Sequence, residues 1–219
     1  MMKKIFLFLT IPFFILMLFY AFSIYGFERG RTPQAPFDSK FQSGDIIFQT
    51  STSAQSKAIQ QATKSQYSHM GIIYQDGSDF YVYEAIQPVQ LTPLKKWIRR
   101  GKNNRYVVKR LKNHEELLTP KNLAKIKKTG QQYRGKPYDL LFDWSDEKIY
   151  CSELVWKIYK EALGIEIGKL QQLKDFDLSH PAVQKKLGER YGNHPPLNAT
   201  VISPESIFSS SKLVEVVRE

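Results

Sequence analysis

The chain contains one cysteine, Cys151, which opens the stretch Cys151-Ser152-Glu153-Leu154-Val155-Trp156-Lys157-Ile158-Tyr159. Leu154, Val155, Ile158, Tyr159, Ala162 and Leu163 recur at helical spacing on the same stripe as Cys151, and Gly164 is a natural stop. The spacing predicts an amphipathic helix with the sulfur in its first turn. The N–H groups of a helix start carry partial positive charge, which favours thiolate over thiol at such a position, and the thiolate is the nucleophile. This pattern points to a cysteine hydrolase. A free cysteine also serves as a small buried hydrophobe, and the residue alone does not separate the two roles.

A thiol hydrolase needs a base and a group to orient it. Gly71-Ile72-Ile73-Tyr74 and Phe80-Tyr81-Val82-Tyr83 are rich in β-branched and aromatic residues, and Gln75-Asp76-Gly77-Ser78-Asp79 between them reads as the turn of a hairpin. Centring that turn on Asp76-Gly77, a preferred pair for a two-residue loop, sets His69 directly opposite Glu84. Directly paired residues share a face with Cβ atoms roughly 5 Å apart, within reach of an imidazole–carboxylate hydrogen bond. Cys151, His69 and Glu84 then fit nucleophile, base and orienter, with backbone N–H groups at the helix start available to an oxyanion. Histidine at a strand edge also occurs as a purely structural residue, so the register carries the argument.

Ser68-His69-Met70-Gly71-Ile72-Ile73-Tyr74 resembles the histidine strand of the NlpC-type papain-like hydrolases. Gly135-Lys136-Pro137-Tyr138, followed by Tyr150-Cys151-Ser152-Glu153-Leu154-Val155, resembles their cysteine segment. Ordinary members carry the cysteine segment first; here the order is reversed, and Gly44-Asp45-Ile46-Ile47-Phe48 opens the domain. That order is similar to the circularly permuted branch, the YiiX-like proteins. The resemblance implies an α+β, permuted papain-like fold, its antiparallel sheet carrying His69 and Glu84 and packed against helices, one of which presents Cys151. It also implies that Tyr138 lies beside the nucleophile and helps to bind substrate or oxyanion, with Tyr150 and Ser152, the neighbours of the cysteine, as further substrate-binding residues. A Pro-Tyr turn that merely packs aromatic surface is the alternative for Tyr138. Glu153 stands where the unpermuted relatives usually carry glycine, so their substrate rules transfer poorly.

After Met1-Met2-Lys3-Lys4 the chain is apolar from Ile5 to Phe27 except for Thr10, Pro12, Ser23 and Gly26. At about 1.5 Å per residue a helix of this length crosses a bilayer core. Residues 1–27 therefore read as a signal anchor, or as a signal peptide cleaved near Ala21-Phe22-Ser23, and 28–40 as a tether to a domain over 41–219. Lys3 and Lys4 favour a cytoplasmic amino terminus, though Arg29 and Arg31 weaken the bias. The expected location is a bacterial inner membrane with an extracytoplasmic, periplasmic catalytic domain, or secretion after cleavage. One cysteine rules out an intramolecular disulfide.

Formal net charge is +11, from 32 basic and 21 acidic residues. Lys95, Lys96, Arg99, Arg100, Lys102, Arg105, Lys109 and Arg110 form a dense basic stretch that an anionic membrane surface or wall polymer would attract. A solvated surface is the commoner meaning, and no nucleic-acid motif accompanies the charge. His114, His180 and His194 are scattered, so no metal site is expected, and the proposed chemistry requires no cofactor. Further elements are expected at Asp45–Phe48, Tyr106–Leu111 and Val214–Val217 as strands, and at Ala54–Thr63, Pro93–Arg99, Pro120–Tyr133 and Pro181–Arg190 as helices. The segment from Gly164 to Thr200 is a candidate specificity element or a plain connection.

These features lead first to an extracytoplasmic hydrolase of envelope amide bonds, with peptidoglycan stem peptides as the concrete case. Lipid acyl hydrolysis or transfer is a second reading, because permuted relatives resembling lecithin-retinol acyltransferase act on acyl esters. A catalytically idle envelope-binding module is the third.

Overall fold

A computed structural model describes residues 40–219. The expected membrane segment and all but the last residue of the expected tether lie outside them. Among the described residues no helix is long and apolar enough to cross a membrane.

Strand β1 (Ile46–Gln49) is buried along its whole length and occupies the middle of a six-stranded sheet. Helix α1 (Ala54–Thr63) follows, capped by Ser53, whose side chain accepts from the Ser56 N–H. The hairpin of β2 (His69–Asp76) and β3 (Asp79–Glu84) lies on one side of β1, and β4 (Gln90–Pro93) extends it. Helix α2 (Leu94–Arg99) leads to β5 (Val107–Leu111), which pairs with the other side of β1. Short helix α3 (His114–Leu117) precedes α4 (Pro120–Tyr133), which has Thr119 as its cap and proline in its first turn. Helix α5 (Cys151–Leu163) ends at Gly164 in the left-handed conformation. Beyond it come β6 (Gln171–Gln172), α6 (Pro181–Tyr191), β7 (Thr200–Val201), α7 (Pro204–Phe208) and β8 (Leu213–Arg218). The sheet order is β4-β3-β2-β1-β5-β8, antiparallel at every pairing.

Alternation along the strands divides the core in two. Ile46 and Phe48 of β1, with Met70 and Ile72 of β2, face a large cluster that includes Leu154, Val155 and Ile158 of α5. Ile47, Ile73 and Val82 face the opposite side, where Leu94, Trp97 and Ile98 of α2 cover them. Asp45 is fully buried just before β1 and is held by Arg110, Nε to Oδ1 at 2.6 Å and Nη2 to Oδ2 at 2.8 Å.

The hairpin corrects the predicted register. Ile72 pairs with Tyr83 and Asp76 with Asp79, so the turn is Gly77-Ser78, one residue further along than expected. Of the two turn residues only Gly77 takes a positive φ, 60°, as in a type II′ turn. Continuing the ladder sets Gly71, not His69, directly across from Glu84. The correction moves the pairing by two, which preserves the face each side chain points to, so His69 and Glu84 remain on one side as diagonal neighbours.

Candidate active site

His69 is the first residue of β2, where the sheet ends. Alternation turns it away from Met70 and toward the α2 face, and its ring stacks on the buried Trp97 indole at a centroid distance of 5.9 Å and 24° between planes. Its Nε2 lies 2.6 Å from Glu84 Oε2. Gly71 makes the diagonal contact possible, because a Cβ there would sit 2.6 Å from the Tyr83 carbonyl oxygen and 3.4 Å from Glu84 Cβ.

Glu84 is fully buried and closely held. Thr92 Oγ1 donates to Oε1 at 2.6 Å, and the Arg100 guanidinium donates to the same oxygen. Burial pushes the carboxyl up, but His69, Thr92 and Arg100 outweigh it and bring it below its ordinary value. Burial likewise opposes charge on His69, while hydrogen bonds to Cys151 and Glu84 raise it to about 9. With Nε2 committed to Glu84, Nδ1 is the ring nitrogen left for the thiol. Imidazole and carboxylate are thus joined by a hydrogen bond, with Cys151 beside the ring. Helix α5 packs against the other face of the sheet and reaches His69 only because the strand begins there.

The three expected substrate-binding residues fall in two different settings. Tyr138 is half-buried, and its hydroxyl accepts from Gln55 Nε2 at 2.8 Å. Burial and the neighbouring Cys151 raise it well above the ordinary tyrosine range, so it stays protonated with its O–H proton free to donate. Its backbone N–H donates to Gln87 Oε1 at 2.6 Å. Tyr150 and Ser152 are both buried and both clasp Ile202: the Ile202 N–H donates to the Tyr150 hydroxyl at 3.0 Å, and Ser152 Oγ donates to the Ile202 carbonyl at 2.7 Å. Their polar atoms hold the chain beyond the 164–200 segment beside the start of α5. Glu153 is fully buried and pairs with Lys157 at 2.8 Å, and burial drives its carboxyl up to about 7.

Thr92, Trp97, Arg100 and Gln55 were absent from the residues singled out in the sequence for these roles. Arg100 was visible only as one cation in a basic stretch, and Thr92 lies between Pro88 and Pro93, which hide the short strand that carries it. The basic stretch is not one surface: Arg100 holds Glu84, Arg110 holds Asp45, and Lys109 donates to the Phe208 carbonyl.

An antiparallel sheet with histidine on an early strand and a later helix opening on cysteine is the papain-like arrangement in permuted order. The chain belongs to the family described as permuted papain-like amidase enzyme, YaeF/YiiX, C92 family, whose pattern matches residues 40–217. It is 51% identical over 178 residues to the Uncharacterized protein YiiX of Escherichia coli strain K12, covering 81% of this chain and 87% of that one. A solved structure titled as metalloprotein yiiX from Escherichia coli O157:H7 superposes with a TM-score of 0.79 at 50% identity, covering 82% of this chain and 98% of that chain.

Proposed function

We propose that the chain hydrolyses an amide bond through a thioester, with Cys151 as nucleophile and His69 as base and then acid. Glu84 is a positioning residue that fixes the ring and stabilises its charge. The row of Cys151, His69 and Glu84 carries this reading. The thiol gives its proton to His69 Nδ1, the sulfur bonds to the carbonyl carbon, and the imidazolium returns the proton to the departing nitrogen. Water then attacks the thioester, releasing the acid and restoring the thiol. We assign the oxyanion to the first N–H groups of α5 and the Tyr138 hydroxyl.

The O157:H7 structure's title calls that protein a metalloprotein. Among the described residues here no group of three His, Cys, Asp or Glu could hold a metal ion, and no step is routed through one. The apolar run over 5–27 supports placing the domain outside the cytoplasm, where envelope amides are the accessible class. Cys151 walls a pocket lined by apolar side chains such as Ala62, Val183 and Leu187, which favours an acyl substrate over a polar stem peptide. The intact row weighs against an idle binding module.

The test is Cys151 alkylation by iodoacetamide across pH, followed by mass spectrometry in wild type and His69→Ala. Wild type is expected to react at least about tenfold faster at pH 7. Equal rates at every pH would overturn the pairing of thiol and imidazole.

A further inference from the structure

Each polar group of Tyr138 is held from a different part of the chain. Its backbone bridges to Ile149, its N–H donates to Gln87, and its hydroxyl oxygen accepts from Gln55 Nε2 at 2.8 Å. Gln55 belongs to the first turn of α1 and lies 83 positions earlier in the sequence. The start of α1 is in turn clipped to the strand that carries the imidazole. Ser56, next after Gln55, and Ser68, just before His69, are both buried and share a hydroxyl hydrogen bond of 2.5 Å. Ser68 Oγ also accepts from the Ser51 N–H at 3.0 Å, and Gln60 Nε2 donates to Ser56 Oγ at 3.0 Å. The residue that holds the phenol and the strand end that bears the base are therefore fixed to each other through buried hydroxyls.

A phenol carries one proton to donate and an oxygen that accepts. The Gln55 N–H occupies an acceptor position on that oxygen, so the O–H proton turns elsewhere, and accepting one hydrogen bond makes the phenol a stronger donor of the next. A carboxylate in place of the amide would capture the proton instead. We propose that Gln55 is a positioning residue for the oxyanion: by donating to the Tyr138 oxygen it aims the phenol proton at the carbonyl oxygen that becomes negative when Cys151 attacks. The assignment rests on the thiol-hydrolase reading, in which Tyr138 receives the oxyanion.

The experiment compares two reactions of the same sulfur on full-length protein at pH 7. Iodoacetamide is attacked at a saturated carbon and develops no oxyanion. p-Nitrophenyl acetate is attacked at its carbonyl: the sulfur–carbon bond forms, an electron pair moves onto oxygen, and its return expels p-nitrophenolate and leaves an acetyl thioester. The ratio of the single-turnover acylation rate to the alkylation rate cancels differences in thiolate content. Tyr138→Phe is expected to lower this ratio about 10²-fold. Gln55→Glu, which accepts the phenol proton, should lower it as far, and Gln55→Met, which frees the hydroxyl to rotate, by about fivefold. In a Tyr138→Phe background neither Gln55 change lowers it further. A wild-type ratio in both Gln55 variants overturns the assignment. So does a loss from Gln55→Glu that is the same with and without the phenol, or a loss of alkylation that matches the loss of acylation. If Tyr138→Phe itself keeps the wild-type ratio, the proposal falls with the oxyanion role of Tyr138, while His69-dependent alkylation leaves the pairing of thiol and imidazole standing.

Discussion

Glu84 shows how much a single side chain depends on neighbours far away in sequence. Its two oxygens are shared among His69, Thr92 and Arg100, so the carboxylate that orients the imidazole is itself fixed by a strand and a helix end. Glu84→Gln is expected to lower turnover on the order of 10²-fold or more. The discriminating readout is the His69 titration followed by NMR, which should move from about 9 toward 6.5. A value unmoved would make Glu84 structural only. His69 also ties stability to pH. Its folded-state value is raised above the ordinary one, so its contribution is complete below pH 6.5 and is lost as pH rises through about 9. The stability difference between wild type and His69→Ala in urea unfolding should therefore shrink across that window, by on the order of 3 kcal/mol at most. At this scale the residue types were legible: a thiol, an imidazole and a carboxylate were identifiable by the chemistry they make together. Thr92 and Arg100 were not, because their partner is set by elements whose placement no local pattern encodes.

Among elements, the hairpin is the instructive case. Asp76-Gly77 is a good turn pair, yet the chain turns on Gly77-Ser78, because glycine in the first central position suits a II′ turn equally well. The face survived because the two registers differ by an even number of residues. Gly71 then becomes the residue that lets His69 lean across to Glu84. Gly71→Ala places a methyl 2.5 Å from Val82 Cγ1 and 2.6 Å from the Tyr83 carbonyl oxygen. It is expected to cost about 1–3 kcal/mol and to slow Cys151 alkylation together with it. The buried Asp45 is a second test: Asp45→Ala strands Arg110 and should cost about 3–5 kcal/mol in urea unfolding. Helices α1 and α4 begin and end where caps, proline and periodicity placed them, since those signals are local. Strand β4 and the wall-forming role of α6 depend on packing. The 164–200 segment offered only the choice between a plain connection and a specificity element, and α6 lines the pocket beside Cys151.

Over the whole molecule, the described domain stands on two apolar layers flanking one sheet, with no covalent staple available to a chain containing a single cysteine. Its thermal midpoint should accordingly be the same with and without dithiothreitol; a drop on reduction would mean that copies are cross-linked through Cys151. The permuted order itself was legible, because the histidine strand and the cysteine segment each carry their own local pattern and their sequence order can simply be read. The apolar pocket beside Cys151 was not, since it needs α1, α5 and α6 in three dimensions. That order also sets a timetable. Strands β4, β3, β2, β1 and β5 are neighbours in the sheet and all lie before Lys112, whereas the reactive sulfur comes some forty residues later. During synthesis, His69 and Glu84 therefore leave the ribosome before Cys151 does. Cys151 thus emerges after His69 and Glu84 but before α6 and Ile202, the parts that close the pocket around it.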